Sequence, residues 1–408
     1  MGRSGLPVHP IGRAWISTGG TGAQNYDEFA DDAEITAIVA DNPSSALAIE
    51  MPHRTPEAVA AGLSFTDALP PAVRRFAESR ASGRYRPDEN VVALYRIGEG
   101  DAAAYGVFCM VDTDQISTTV DEPGLVIRNE DVFVSKIRER VALTGSVGHL
   151  LSPILLMQTG RGAQLQELLV EVAGRSGAPT VSDTDPQGRR HDVWVVPAGP
   201  DQDRILAEAG GGELIVADGN HRSLAAQVGE LPRFLAVVTT PGSVRIQPYH
   251  RLVTEVPAPE GLVDRLRAAG AEVTALAEPP EVPAGSGTVH LYTTGGGYAV
   301  RLPVPDSSRG VDRLDYSVVE AVLFGTALEM EPDDKRIAYV GGDYPASWLR
   351  GEVDAGRADL AVLIAPVTVD DFVAVNLARE KLPRKSTWFT PKARAGLVCV
   401  ELAAEPAG

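Results

Sequence analysis

The sequence predicts an α+β protein in which mixed β-sheets are flanked by helices. Short apolar runs typical of buried strands recur along the chain, separated by amphipathic segments typical of helices. Two of these runs, residues 91–97 and 104–111, flank the turn Gly98-Glu99-Gly100-Asp101 and indicate an antiparallel hairpin. Strands and helices do not alternate strictly, so the pattern does not favour a doubly wound parallel sheet.

The first half of the chain divides into elements by its apolar periodicity. The glycine-rich segment 17–22 lacks the Lys-Ser/Thr ending of a phosphate-binding P-loop, so we interpret it as an ordinary loop. Residues 132–150 are mixed in pattern, with Lys136, Arg138 and Arg140 spaced so that two of them can share a helical face. The other predicted elements here are helical segments at 55–81, 164–174 and 203–209 and strands at 152–157 and 192–196.

Residues 214–226 predict a buried strand, a tight glycine turn and the first turns of a helix. The clearest change in composition follows at 257–287, which is rich in Pro, Gly, Ala and Glu. We therefore expect an N-terminal part at 1–255 and a C-terminal α/β part at 256–408. The remaining predicted elements are strands at 234–239, 244–247, 288–294, 298–302, 360–364 and 396–401, and helices at 315–328 and 367–379.

Bulk properties limit the partners of the chain. Its 408 residues carry a formal net charge of −18, which argues against nucleic acid as the main partner, because binding phosphodiesters needs a basic face. A local cluster of cations can still bind a small anion. Cys109 and Cys399 each lie in an apolar run and are expected to be buried, reduced thiols. The sequence shows no signal-peptide or membrane-span pattern, so we expect a cytoplasmic protein without membrane contact.

The turn at 218–222 is the first candidate site. A helix N-terminus presents unpaired N–H groups and partial positive charge, and Gly219 lets the backbone come close to a ligand. His221 and Arg222 add donors suited to phosphate oxygens, and Asp218 can orient a metal ion or accept a proton. The alternative is that Asp218 or Asn220 caps the helix and Arg222 is a solvated surface residue.

A second basic cluster lies at 381–392, where prolines on both sides forbid a continuous helix. Lys385, Ser386, Thr387 and Lys392 offer ammonium, hydroxyl and N–H donors together, a suitable cradle for an anion. The alternative is a solvated charged turn. The aromatic pair Trp388-Phe389 argues against that alternative, since exposed aromatic side chains need a reason.

The order and spacing of short segments through most of the chain resemble a bacterial and archaeal family of free-serine-kinase-like proteins with a ParB/sulfiredoxin-like core. The segments are Tyr26-Asp27, Asn42-Pro43, Asn129-Glu130 with Arg140 and Ser152-Pro153, residues 217–222, residues 250–253, and residues 383–392 with Gly396-Leu397. The resemblance implies that this core surrounds the turn at 218–222. It also implies that residues 219–222 hold nucleotide or product phosphate and that an acidic residue activates a substrate hydroxyl.

Three departures from the family pattern lie at positions expected to touch ligand. Asn220 and Asn129 stand where the family commonly has histidine, and Gln24-Asn25 replace two prolines before Tyr-Asp. Asn220 also stands where sulfiredoxins carry their reactive cysteine. A carboxamide cannot act as a thiolate nucleophile, so sulfiredoxin chemistry is excluded.

The leading hypothesis is a small-molecule kinase that moves a phosphoryl group from ATP, or from ADP or pyrophosphate, to the hydroxyl of free L-serine or a close analogue. Glu130 is the expected general base, Asp27 is the reserve, and Asp218 is the expected ligand of Mg²⁺. Arg222, His221, Lys385 and Lys392 would neutralise phosphate oxygens. The remaining candidates are Gly219, Asn220, Ser386 and Thr387 at the nucleotide and Tyr26, Arg140, His250 and Arg251 at the substrate.

Two alternatives remain open on the sequence. One is a non-catalytic ParB-like protein that binds nucleotide as a switch, although the chain shows neither a helix-turn-helix pattern nor a basic face. The other is a biosynthetic kinase that acts on a different hydroxylated small molecule, which the changes at Asn220 and the N-terminal loop favour. The expected partners are therefore a nucleotide and a small molecule, with a homodimer possible.

Overall fold

The structure, a computed structural model, describes residues 6–26, 28–29, 31–117, 124–130, 134–257, 259–307, 309–331 and 334–402. It confirms the predicted α+β class with mixed sheets. The strands are β1 Val8–His9, β2 Ile11–Ser17, β3 Tyr85–Ile97, β4 Ala104–Asp112, β5 Ile116–Ser117, β6 Val126–Ile127, β7 His149–Leu150, β8 Ile154–Gln158, β9 Val181–Thr184, β10 Arg190–Pro197, β11 Leu214–Asp218, β12 Arg233–Thr239, β13 Arg245–Gln247, β14 Tyr249–Val253, β15 Glu272–Leu276, β16 Thr288–Thr293, β17 Gly296–Arg301, β18 Ile337–Gly341, β19 Leu360–Leu363, β20 Trp388–Thr390 and β21 Val398–Glu401.

The helices occupy most of the segments in which apolar residues recur with helical spacing. They are α1 Asp32–Asp41, α2 Leu47–Glu50, α3 Pro56–Ala60, α4 Leu69–Ala81, α5 Val134–Val147, α6 Gly162–Arg175, α7 Pro200–Ala209, α8 Asn220–Val228, α9 Leu262–Ala268, α10 Asp315–Val318, α11 Ala346–Asp354 and α12 Val369–Leu377. Helix α10 continues as a π-helix over Val319–Ala327. The mixed pattern at 132–150 thus forms a helix followed by the short strand β7.

Contacts between Cα atoms group the chain into two compact units. The first is Met1–Val244 together with Pro391–Gly408, and the second is Arg245–Thr390. The expected boundary at 255/256 and the composition shift at 257–287 both fall inside the second unit, whereas the last strand, β21, belongs to the first. The division of the chain into an N-terminal part at 1–255 and a C-terminal part at 256–408 stays a prediction.

The first unit is built on one large mixed sheet with the order β5-β6-β11-β8-β12-β4-β3-β2-β21-β7. The predicted hairpin is confirmed, because β3 and β4 pair antiparallel with Ala93 opposite Phe108. Strand β6 runs parallel to β11, and β8 runs parallel to β12. Apolar residues of the central strands pack with helices α6 and α7 in a large core cluster. That burial, at about 25 cal/mol per Å² of apolar surface, holds the strand ends that carry the candidate site.

The second unit contains a sheet with the order β15-β17-β16-β19-β14-β18 and a separate pair, β13 and β20. Trp388 and Phe389 lie in β20 and are buried. The expectation that these two aromatic side chains are exposed is therefore wrong: Trp388 packs edge-to-face on Tyr249 and Phe389 on Phe372, as core residues of this unit do.

Both cysteines are buried free thiols, as expected, and burial raises the pKa of each to about 12. They are therefore protonated and unreactive at neutral pH. In the described part of the chain, no helix is both long and apolar enough to cross a lipid bilayer.

Candidate functional site

The candidate site of the first unit lies where two parallel strands end. Strand β6 pairs with β11 in the register Val126 opposite Leu214 and Ile127 opposite Ile215. The carboxyl ends of parallel neighbours meet at one edge of a sheet, where ligands commonly bind. Asn129 and Glu130 follow β6 at the same edge at which Asp218 ends β11. The backbone therefore brings together two segments that the sequence analysis singled out separately.

An irregularity in the sheet precedes Asp218. Val216 lies opposite Leu156 of β8, but Asp218 lies opposite Leu155, so one additional residue stands on β11. Bulges of this kind change the direction of the chain and commonly lie next to functional sites. The strand is thus interrupted immediately before the carboxylate.

Gly219 makes the turn from β11 into α8. Its φ of +100° lies in the left-handed region, where residues with a Cβ are strained. A Cβ at this position would also lie 3.0 Å from Nε of Arg222, because the arginine side chain folds back over the turn. Helix α8 begins at Asn220 with no side-chain hydrogen bond at its cap. The alternative in which Asp218 or Asn220 caps the helix is therefore wrong.

Asp218 instead binds two cations. Its Oδ2 accepts a hydrogen bond from Arg222 at 2.5 Å, and its Oδ1 lies 3.1 Å from Nζ of Lys392. Nδ2 of Asn25 donates to Oδ2 at 3.3 Å. Arg222 is buried, so the alternative of a solvated surface arginine is also wrong. Both cations lie beside the open end of a helix, an arrangement suited to an anion.

Further polar side chains are buried around the same turn. Asn220 and His221 are each 5% exposed. Oδ1 of Asn220 accepts no hydrogen bond from the described residues, and the carboxamide of Asn129, which is 1% exposed, has none on either atom within them. Buried polar groups in proteins are normally paired, so groups left like this commonly meet a ligand or water.

The contacts of Asp218 bear on the expected role of this residue as a magnesium ligand. Each of its two carboxylate oxygens is engaged by a cation, and the described residues hold no group of three His, Cys, Asp or Glu side chains placed for a metal ion. Mg²⁺ is bound through carboxylate oxygens together with waters and substrate phosphates. The contacts of Asp218 do not favour a Mg²⁺ held by the protein before substrate binds, and the metal role of Asp218 stays a prediction.

Arg140, expected at the substrate, forms a buried ion pair. Its NH1 donates to Oε2 of Glu50 at 2.8 Å, and Ser152 donates to the other oxygen at 2.9 Å. The guanidinium also lies over the ring of Tyr26, with 4.2 Å between Arg140 Cζ and the ring centroid. The sequence analysis missed Glu50. The available signal was a single acidic residue within the apolar run 46–51, since a buried carboxylate needs a partner.

The segment that carries Lys392 is held by a buried network. The backbone N–H of Arg394 donates to the hydroxyl of Tyr95 at 3.3 Å, and this hydroxyl lies 2.6 Å from Nδ1 of His191. Nε2 of His191 in turn lies 3.1 Å from Asp185. Burial lowers the pKa of His191, so the ring is neutral and accepts from Tyr95 while its Nε2–H donates to Asp185.

The remaining expected site residues lie in the second unit. Arg251 is fully buried, donates to the carbonyls of Tyr249 and Lys385 at 3.1 and 3.0 Å, and lies 3.6 Å from Glu320. These contacts favour a structural role. His250 is buried and its Nδ1 accepts from the N–H of Ile364; burial, followed by the charge of Arg251, lowers its pKa to about 4.

Ser386 is buried and donates to the carbonyl of Pro383 at 2.7 Å. Lys385 has a left-handed φ of +56°, and Thr387 is half-buried beside it. Because these residues belong to the second unit, their part in the site at Asp218 stays a prediction. Asp27, the reserve base, lies outside the described residues.

Comparison with known proteins gives one family and several weakly similar structures. A family model described as a protein of unknown function (DUF1015) matches residues 21–317. No curated protein matches the sequence. A free serine kinase in complex with AMP is 14% identical with a TM-score of 0.41, covering 72% of this chain and 92% of its own.

A mutant of the free serine kinase in complex with ADP covers the same shares at 14% identity, with a TM-score of 0.42. A conserved hypothetical protein from Pyrococcus furiosus is also 14% identical, with a TM-score of 0.38, and covers 71% of this chain and 95% of its own. All three TM-scores are below 0.5.

Proposed function

The chain belongs to the DUF1015 family, whose description assigns no activity, and from its own site we propose that it is a small-molecule kinase. It would transfer a phosphoryl group from a nucleotide to the hydroxyl of free L-serine or a close analogue, giving O-phosphoserine. Serine is the acceptor that the sequence resemblance implies. Support for phosphoryl transfer comes from the turn at Asp218.

The observation that carries the proposal is the pair of cations on Asp218. Arg222 and Lys392 reach this carboxylate from different segments of the chain and meet at the N-terminus of α8. Phosphate oxygens are bound by such charge-assisted donors together with helix N–H groups. The ion pairs with Asp218 keep both cations in place before ligand arrives, so less ordering is needed on binding.

Phosphoryl transfer needs charge neutralisation, alignment and a base, with little covalent work by the protein. In the proposed reaction, the acceptor hydroxyl oxygen bonds to the terminal phosphorus as the bond from that phosphorus to the bridging oxygen breaks. Glu130 takes the hydroxyl proton, and the nucleoside diphosphate leaves when ATP is the donor. Arg222 and Lys392 neutralise the phosphate oxygens, with His221 beside them. Support for Glu130 comes from its position at the same sheet edge as Asp218.

The test is a product assay with a matched pair of variants. The full chain is incubated with L-serine and either γ-labelled ATP, β-labelled ADP or labelled pyrophosphate, and labelled O-phosphoserine is measured. We expect product with the wild-type chain. Glu130→Gln should lower kcat about 100-fold or more while nucleotide affinity is kept, because positioned bases contribute about 10²–10⁴-fold. Glu99→Gln, at a largely exposed glutamate, is the control and should leave kcat unchanged.

Failure to form labelled O-phosphoserine with any of the three donors, and failure to phosphorylate L-threonine when it replaces serine, would contradict the proposal. Tight nucleotide binding without turnover would instead favour the switch protein. Equal loss of activity in Glu130→Gln and Glu99→Gln would remove Glu130 from the role of base.

A further inference from the structure

A cavity of about 160 Å³ lies beside the candidate site in the first unit. It is bordered by α5, α8 and the strands β7, β8 and β12. Arg222, which binds Asp218 on the other side of the turn, is one of its lining residues. Most of its wall is apolar and includes Leu143, Leu151, Ile154, Ala225, Leu231 and Phe234. Arg222 therefore borders both the cavity and the proposed phosphate site.

The charged groups that line the cavity are already bonded to one another or to the backbone. Glu50 accepts from Arg140 at 2.8 Å and from Ser152 at 2.9 Å. The ring of His149 is bonded on both sides, with Nδ1 2.8 Å from the carbonyl of Val147 and Nε2 3.2 Å from Arg80. A nucleotide base needs several partners for its polar edge, and neither Glu50 nor His149 has an atom left for one; among the described residues, Nε of Arg140 is a lining donor with no hydrogen-bond partner. The lining favours an apolar occupant.

The volume sets the size of that occupant. A protein cavity of about 150 Å³ lined by Leu, Ile and Phe binds benzene. The cavity beside α8 has this size and a similar lining. A six-carbon ring therefore fits, whereas serine, with a single CH₂OH side chain, leaves the cavity without an occupant.

We propose that this cavity holds an apolar group, about the size of a benzene ring, carried by the hydroxylated acceptor. The acceptor hydroxyl then lies toward Arg222 and the transferred phosphate, and the apolar group extends along α8. This inference rests on the proposed kinase function and narrows its acceptor from serine to serine-like alcohols with an apolar substituent. 3-Phenylserine, which adds a phenyl ring to the hydroxyl-bearing carbon, is the simplest example.

The first experiment measures binding to the wild-type chain and two variants. Benzyl alcohol is titrated while protein methyl resonances are followed, with methanol as the reference probe. Ala225→Phe adds a ring inside the cavity, and Val228→Phe adds the same ring on the exposed side of α8, where Val228 is 57% exposed. We expect saturable binding to the wild-type chain and Val228→Phe and at least tenfold weaker binding to Ala225→Phe.

The second experiment compares acceptors. Burial of a phenyl ring contributes about 1.5–3 kcal/mol, so kcat/KM for 3-phenylserine should exceed that for serine about 10- to 100-fold, and Ala225→Phe should reverse the preference. Nucleotide affinity is measured on the same samples. Absence of saturable benzyl alcohol binding to the wild-type chain overturns the inference, even if Ala225→Phe fails to fold. Competition between adenosine and benzyl alcohol for the cavity would also overturn it.

The two proposals can fail separately. Nucleotide binding with serine phosphorylation, but no benzyl alcohol binding and no preference for 3-phenylserine, contradicts only the cavity assignment. Benzyl alcohol binding without nucleotide binding or any phosphorylated product contradicts the kinase, and the cavity is then no acceptor site.

Discussion

Nζ of Lys392 lies 3.1 Å from Oδ1 of Asp218, which joins the C-terminal segment of the first unit to the turn at the end of β11. Arg222 contacts the other carboxylate oxygen at 2.5 Å. All three side chains are largely buried, with 8–12% of each exposed. Charges in such surroundings interact more strongly than at the surface, so removing one of them affects the other two.

Asp218→Asn should therefore destabilise the protein in a way that phosphate reverses. The carboxamide cannot balance two cations, and we expect the free energy of unfolding to fall by about 2–4 kcal/mol in phosphate-free buffer. Millimolar inorganic phosphate should restore part of this loss, because an anion then replaces the missing charge. Urea unfolding with and without phosphate measures both effects.

Asp112→Asn is the control for this substitution. Asp112 also lies between two basic side chains, Arg233 at 2.9 Å and His9 at 2.8 Å, but it precedes only the single 3₁₀ turn Thr113–Gln115 and not an α-helix. Phosphate should raise the free energy of unfolding of Asp112→Asn by no more than it raises that of the wild-type chain. Equal recovery of both variants would show that phosphate acts without regard to the turn.

Gly219→Ala should lower both stability and nucleotide affinity. The φ of +100° costs about 1–2 kcal/mol for alanine, and the new Cβ crowds the Arg222 guanidinium. Gly83→Ala is matched, because Gly83 has a φ of +78° and no atom within 4 Å of a Cβ. Chemical unfolding should show a similar loss for both variants, whereas calorimetric titration should show weaker nucleotide binding only for Gly219→Ala. Unchanged nucleotide affinity in Gly219→Ala would show that Arg222 does not take part in nucleotide binding.

Tyr95→Phe should loosen the segment that carries Lys392. The change leaves Nδ1 of His191 and the N–H of Arg394 buried without their partner, at a cost of about 1–3 kcal/mol. Amide hydrogen exchange at Arg394 should become faster. Tyr298→Phe is the control, since the hydroxyl of Tyr298 has no hydrogen bond to the described residues, and it should change neither quantity. Unchanged exchange at Arg394 would contradict the proposed anchoring.

The stability of the second unit should depend on pH through His250. Burial and the neighbouring Arg251 lower the pKa of this histidine from 6.5 to about 4. Between these values the unfolded chain binds a proton that the folded chain does not, so stability falls as the pH falls from about 6.5 to 4, by up to ~3 kcal/mol.

His250→Gln should remove the contribution of His250 to the pH dependence of stability. This dependence is measured as the difference between the free energies of unfolding at pH 7 and pH 4.5. The lowered pKa values of His53, His149 and His191 act in the same direction, so the variant is compared with the wild-type chain and with His290→Gln. An identical slope in all three proteins would refute the assignment to His250.

Apolar periodicity predicted the α+β class, the hairpin of β3 and β4, and the strand-turn-helix at Asp218, because each depends on residues close together in sequence. The register of β6 beside β11 depends on pairing between distant segments, so the sequence pattern did not show that Glu130 and Asp218 follow neighbouring strands. The ion pair of Glu50 and Arg140 also joins distant segments, so the sequence pattern did not show that these two charged residues are buried against each other.

For two aromatic residues, the sequence pattern suggested a functional role that the structure does not support. Trp388 and Phe389 stand within a basic run, and the sequence suggested an exposed pair with a ligand-binding purpose. The short strand β20 pairs with β13 and buries both rings in the second unit, so packing explains them. Composition over a few residues cannot reveal which side of a strand faces a core that distant segments build.

Titration calorimetry of ATP into the wild-type chain, Lys392→Met and the surface control Arg204→Gln tests the central claim most directly. Arg204 is 53% exposed and pairs with Glu171. We predict saturable binding to the wild-type chain and Arg204→Gln and at least tenfold weaker binding to Lys392→Met, since a charge-assisted contact contributes about 1.5–3 kcal/mol. Equal affinity of Lys392→Met and the wild-type chain, or no ATP binding by the wild-type chain, would contradict the claim that Lys392 and Arg222 form a phosphate site at Asp218.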